Sequence, residues 1–263
     1  VLRTRALANL ANEFSCLRHS IDLGYDLSEL LERKSMNETT DEALWSQVDG
    51  YLNATLVPAD SQLESALAAN AAANLPTIDV SPTQGKFLHM LAKMHGAKRI
   101  LEIGTLGGYS TIWLARALPA DGKLISMEFN PKHAKVAGEN VARAGLAKVV
   151  EIRVGAAADS LAKLYDESPE PFDMIFIDAD KPSNPVYLEW ALKLSRKGSV
   201  IVVDNVIREG KIVDASSKDA SVTGTRAMFA QMTQLQEAGL LTATAIQTVG
   251  SKGYDGLCLA LVL

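Results

Sequence analysis

Cysteine, long apolar runs, surplus positive charge and histidine are all scarce in this chain of 263 residues. Cysteine occurs twice, at Cys16 and Cys258, nearly a chain length apart, which excludes a disulfide framework and a cysteine-based zinc site. A reducing, cytoplasmic setting fits that usage. The apolar runs are strand-sized, so no membrane span is expected. Lys and Arg number 26 against 31 Asp and Glu, a net charge of −5, which argues against the basic face of a nucleic-acid binder. The histidines (His19, His89, His95 and His133) fall in the N-terminal region or on predicted helices. They read as structural or surface groups, not as a transition-metal site.

Material for a core is plentiful. Hydrophobic residues make up 48% of the chain and charged residues 22%, ordinary proportions for a globular protein. Residues 1–35 read as an N-terminal extension, and 36–263 as a single domain that opens with Met36 and a helix-cap sequence. The first dozen residues carry Arg3 and Arg5 and no acid before Glu13, the charge pattern of a transit peptide, but four acids follow closely. From Thr40 to about Leu75 the pattern is helical, with Leu44, Val48 and Leu52 on one face and an alanine-rich helix after Asp60. A third helix is expected from Pro82 to about Met94, with Phe87, Leu88, Leu91 and Met94 as its apolar stripe.

After His95 strands and helices alternate. Strand-like runs are Arg99–Ile103, Lys123–Met127, Val149–Val154, Phe172–Ile177 and Ser199–Val203, with helix-sized segments between them. That alternation predicts a parallel sheet covered on both faces. A helix at about 217–238 is followed by two apolar runs, Leu241–Val249 and Gly256–Leu263, whose connection is short enough only for antiparallel strands. The expected fold is therefore α/β: a Rossmann-like, mostly parallel seven-stranded sheet of the methyltransferase type, with a C-terminal antiparallel hairpin and extra N-terminal helices.

Acids stand at the strand ends. Phe176-Ile-Asp178-Ala-Asp180-Lys181 closes one apolar run, and Asp204-Asn205 closes the next. Neighbouring parallel strands end on one edge, where ligands bind. Two carboxylates and an amide oxygen there form a hard, all-oxygen site suited to magnesium or calcium. Lys181 adds a candidate base. Taken singly, these residues would read as a strand-end cap, turn chemistry and a solvated lysine; their joint occurrence points to a metal site.

The first strand runs into Leu101-Glu102-Ile-Gly104-Thr105-Leu-Gly107-Gly108-Tyr-Ser110, a glycine turn opening a helix. The glycines allow a tight turn and close approach to a ligand. The spacing is not GxGxxG. Glu128 ends the next strand, 24 residues after Gly104, an acid placed to hold two ribose hydroxyls. Glu102 could reach a cofactor's ammonium or only brace the loop.

Five segments together resemble the cation-dependent class I O-methyltransferases, the family of catechol and caffeoyl-coenzyme A O-methyltransferases: the glycine turn, Ser126-Met-Glu128, Val154-Gly-Ala-Ala157, Phe176–Lys181 and Val203-Asp-Asn-Val206. The resemblance runs from about Asp41 to Leu263. It implies S-adenosylmethionine as methyl donor, with Glu102, Gly104, Thr105 and Ser110 at the methionine end. It also implies Glu128 on the ribose, Ala157 near the adenine, and Val80 and Asp180 against the cofactor. Asp178, Asp204 and Asn205 would hold Mg2+, Mn2+ or Ca2+, and Lys181 would take the departing proton. The acceptor would be a small vicinal diphenol (a catechol, flavonoid or hydroxycinnamate) and the assembly a homodimer. In the plant caffeoyl-coenzyme A enzymes a tryptophan and an asparagine follow the Asp-Asn pair. Here Val206-Ile-Arg208-Glu209-Gly210 follows, which puts a thioester acceptor in doubt. Arg208 could attract an anionic substrate or simply pair with Glu209, and the stretch from Lys211 to Thr223 is expected to border the acceptor. Rival readings are methylation of a hydroxylated uridine in transfer RNA, a catalytically silent nucleoside-binding protein, and nicotinamide-dependent oxidoreduction. Acidic balance, the intact acidic cluster and the glycine spacing weigh against each in turn.

Overall fold

The computed structural model describes residues 27–167 and 170–263, with side chains from Asp41 onward. The transit-like dozen, Cys16 and His19 lie outside the described residues. Two compact units divide the chain, Val1–Gln47 and Val48–Leu263. Helix α1 spans Leu27–Leu56.

The second unit continues with α2 (Ser61–Ala72) and α3 (Pro82–His95), followed by β1 (Arg99–Ile103), α4 (Tyr109–Ala115), β2 (Lys123–Glu128), α5 (Pro131–Arg143) and β3 (Val150–Val154). Then come α6 (Ala157–Glu167), β4 (Phe172–Ile177), α7 (Asn184–Lys193), β5 (Ser195–Asp204), α8 (Ala220–Glu237), β6 (Leu241–Gly250) and β7 (Gly253–Val262). The strands form one sheet in the order β3-β2-β1-β4-β5-β7-β6. β1 to β5 pair in parallel, and β7 runs antiparallel to both β5 and β6. This is the expected Rossmann-like methyltransferase sheet with its terminal hairpin, closed by a two-residue turn at Ser251-Lys252.

Period-two alternation sorts the strand residues between two cores. Ile100, Leu124, Met174, Phe176 and Val202 face α2 to α5, while Leu101, Ile125, Ile175, Ile177 and Val203 face α6 to α8. β4, at the centre, is buried along its whole length, as a strand covered on both faces must be. Each large side chain removed from water contributes about 1.5–3 kcal/mol, so this strand anchors the sheet edge that carries Asp178.

Three expectations shift. In α3 the buried positions are Gly85, Leu88 and Ala92, whereas Phe87 and Met94 point outward; the helix turns its small residues to the core because Trp113 occupies the space a side chain at Gly85 would need. In α1, Leu44 and Val48 are exposed. β5 begins at Ser195, before the expected Ser199, because its pairing with β4 shifts register between Phe172 and Met174. Among the described residues no helix is long and apolar enough to cross a membrane.

Candidate active site

β1, β2, β4 and β5 all end on one edge of the sheet, and a cavity of about 880 Å³ opens there, within the size range of small-molecule sites. Of the twelve site residues expected from the sequence, ten line it: Val80, Gly104, Thr105, Ser110, Glu128, Ala157, Asp178, Asp180, Lys181 and Asn205. Glu102 and Asp204 stand behind the wall.

Glu128 builds the glycine-turn end. Its Oε2 accepts from the backbone N–H of Leu106 at 2.8 Å and of Thr105 at 3.3 Å, and its Oε1 from Asn130 N–H at 2.9 Å. One carboxylate thus ties the turn after β1 to the end of β2 while lining the cavity. Gly104 has φ +104°, and a Cβ there would lie 2.0 Å from the carbonyl oxygen of Asp178. Its lack of a side chain makes room first for the neighbouring strand end, not for a ligand.

Glu102 does not reach the cavity. It is fully buried, and three hydroxyls donate to it: Ser110 Oγ at 2.6 Å, Ser126 Oγ at 2.6 Å and Thr111 Oγ1 at 2.5 Å. Ser126 is its register partner on β2, so the parallel pairing alone aims that hydroxyl at it. Burial pushes the Glu102 carboxyl up to about 7, against the pull of the three hydroxyls. Of the two readings of Glu102, bracing the loop is the contact present here, and it acts through Ser110, which does line the cavity.

Val80 precedes α3 and Ala157 opens α6, and both line the wall. Asp180 is engaged by the hydroxyls of Ser183 and Tyr187; burial, then the Asp180 carboxylate, hold the Tyr187 phenol well above its ordinary value.

The acidic end gathers Asp178, Lys181, Asp204 and Asn205. Lys181, 7% exposed, donates its Nζ to Asp178 Oδ1 at 2.8 Å. Asp204 Oδ2 accepts from Gln84 Nε2 at 2.6 Å and Oδ1 from Asn205 N–H at 2.8 Å. Burial, then the negative charge of Asp178, push the Asp204 carboxyl up to about 7, while Lys181 opposes the rise. Two carboxylates within each other's field, one resisting ionisation, are the electrostatic signature of a site a cation would relieve. Among the described residues no group of three or more His, Cys, Asp or Glu gathers as a metal site. The ligand set that fits here is two carboxylates and an amide oxygen, hard donors for a hard cation.

After Asn205 the chain turns sharply. Asn205, Arg208 and Glu209 all have positive φ, at 53°, 56° and 58°, conformations of the order of 1–3 kcal/mol above the ordinary ones. Asp255 on β7 holds this loop: its Oδ1 accepts from the N–H of Ile207 at 2.9 Å and of Arg208 at 3.0 Å. Asn205 and Arg208 both line the cavity. Of the stretch 211–223, Lys211–Val213 forms a short 3₁₀ turn, and Ser221, at the start of α8, reaches the cavity wall.

Sequence reasoning missed several wall residues. His133, read as remote from the strand ends, lines the cavity with Nδ1 3.5 Å from Glu128 Oε1; Asn130-Pro131 starts α5 immediately after β2 and swings that face back over Glu128. Asp79 also lines the wall and accepts from Asn70 Nδ2 at 2.9 Å. Gln84 meets Asp204 across 120 positions, with no local signal in the sequence. The Asn130-Pro131 helix start was the one signal that could have placed His133.

A parallel sheet with one reversed strand, a glycine turn after β1 and an acid closing β2 define a class I methyltransferase architecture. The profile of the O-methyltransferase family matches residues 56–252, and the chain belongs to that family. A catechol O-methyltransferase of Niastella koreensis is 51% identical over 83% of this chain and 98% of its own length. A catechol O-methyltransferase of Mycobacterium tuberculosis is 54% identical over 82% of this chain and 94% of its own. The crystal structure of an O-methyltransferase from Bacillus cereus in complex with SAH superposes with a TM-score of 0.82 at 54% identity, covering 84% of this chain and all of that one.

Proposed function

We propose that this protein transfers the methyl group of S-adenosylmethionine to one hydroxyl of a vicinal diphenol, with a divalent cation held by Asp178, Asp204 and Asn205. The observation that carries the reading is the acidic end of the cavity, where Asp178 and Lys181 pair at 2.8 Å beside Asp204, facing a glycine turn and Glu128 across the same cavity. The names of the two catechol O-methyltransferases and the SAH of the Bacillus cereus structure support the donor and acceptor classes.

The residues divide the work. Glu128 is assigned to the donor's ribose, with Gly104, Thr105 and Ser110 at its methionine end and Val80, Ala157 and Asp180 along its length. A bound divalent cation would lower the pKa of a coordinated hydroxyl. Lys181, as the neutral amine that the positive charge of a bound cation would favour, is assigned to receive the hydroxyl proton and become the ammonium, its Nζ held in place by Asp178. The phenolate oxygen then forms a bond to the methyl carbon as the carbon–sulfur bond breaks, and the sulfonium becomes a neutral thioether. Since the methyl group is already electrophilic, the protein's main contribution is alignment, of the order of 7–11 kcal/mol in well-oriented systems. The protein is proposed to act as a homodimer.

The test is methyl transfer to matched catechols and monophenols, with magnesium and with a chelator. Transfer to catechols only, lost with the chelator, is expected. Chelator-insensitive transfer overturns the assignment of Asp178, Asp204 and Asn205, and unchanged turnover in Lys181→Met removes the lysine from the reaction.

A further inference from the structure

Arg208 carries charge into the cavity that the proposed reaction does not use. It lies three residues beyond Asn205, and both line the wall. Among the described residues its side chain makes no hydrogen bond, and its Nε is buried without a partner. Its guanidinium forms a loose ion pair with Asp255, whose Oδ2 stands 3.7 Å from Nη1, beyond hydrogen-bond distance.

The acids around it all have other partners as well. Glu209, its sequence neighbour, pairs with Lys211 at 2.6 Å. Asp219 caps α8, accepting from Ser221 N–H at 2.7 Å. Asp255 Oδ1 accepts from the N–H groups of Ile207, Arg208 and Gly256. The backbone of Arg208 is therefore fixed, in a left-handed conformation at φ 56°, while its guanidinium retains its donors. A planar fork of N–H donors fixed at a cavity wall matches a carboxylate, which it can bind through two parallel hydrogen bonds.

We propose that Arg208 forms an anion subsite of the acceptor pocket, so that the favoured acceptor is a catechol bearing a carboxylate away from its two hydroxyls. This rests on the catechol reading above and narrows it: a carboxylated phenol is selected over a neutral one.

The test uses the full chain with S-adenosylmethionine and magnesium and compares 3,4-dihydroxybenzoate with its methyl ester. The acid and ester differ in ring electronics, so the quantity read is the ratio of their kcat/KM values, compared between wild type and variants. In Arg208→Met the ratio is expected to fall about tenfold, the loss of a charge-assisted pair, and in Arg208→Lys to fall less. Calorimetric binding of the acid to the SAH-loaded protein should weaken in parallel. An unchanged ratio in Arg208→Met overturns the subsite. If Arg208→Met no longer binds SAH, Arg208→Gln takes its place under the same criterion. Should wild type methylate neither compound, the catechol reading itself fails; if it methylates both and the ratio ignores residue 208, only the subsite fails.

Discussion

A buried carboxylate surrounded by hydroxyls is an unusual way to fix a turn, and Glu102 shows what it implies. Its carboxyl, with an ordinary value of 4.5, is raised to about 7 chiefly by burial. Between those values the folded chain retains a proton that the unfolded chain releases, so stability is fully present below pH 4.5 and falls as pH rises through about 7. At about 1.4 kcal/mol per pH unit the window is worth about 3 kcal/mol. Glu102→Gln does not titrate, so its stability relative to wild type should rise by about that amount between pH 4.5 and 7.5. Urea unfolding of both proteins at the two pH values measures it, and parallel curves would show that Glu102 stays ionised. The glutamate itself was conspicuous in the sequence, but its role was open, because Ser110, Ser126 and Thr111 meet it only once β1 and β2 pair. Asp178, Asp204 and Asn205 were legible for the opposite reason: strand ends in a parallel sheet converge by construction. Gln84 and Asp255 were not, since each meets its partner from a distant element.

Between elements, the most consequential contact is that of α8 with the turn carrying Lys181. A Cβ at Gly224 would stand 2.5 Å from the Lys181 carbonyl oxygen and 2.6 Å from Pro182 Cα, both backbone atoms with little room to yield. Gly224→Ala should therefore displace the Lys181–Ser183 turn, costing about 1–3 kcal/mol of stability and lowering kcat as Lys181 leaves its place. Gly138, within α5, is the control: a Cβ there meets nothing within 4 Å, and alanine should stabilise by roughly 0.5–1 kcal/mol. Thermal melts and turnover of the two variants decide the matter; equal behaviour would mean α8 yields freely. Neither contact is visible in the sequence, where Gly224 reads as an ordinary interruption of a helix. Alternation and helical period did reveal the order of strands and helices. They misplaced the inner face of α3, because Leu88 and Ala92 pack inward while the larger Phe87 and Met94 do not.

For the whole molecule, those outward residues set the question of assembly. Phe87, Met90 and Met94 are 37%, 48% and 72% exposed on α3, and Val48, Tyr51 and Leu56 are 47%, 70% and 56% exposed on α1. The ammonium of Lys86 donates to the carbonyl of Leu56, which ties the end of α1 to the first turns of α3. Large apolar side chains left exposed at this density on neighbouring helices are the surface a protein contact would cover. The apolar, nearly uncharged character of these six side chains suits a second copy of the same surface, because a twofold contact sets each residue near its own equivalents and charges there would repel. Light scattering after size exclusion should give twice the chain mass of 28.2 kDa. Tyr51→Glu with Met90→Glu should return it to one, by placing like charges at the contact while leaving SAH binding intact. A wild-type monomer, or a dimer that survives both substitutions, would assign the patch to another partner or the pairing to another surface.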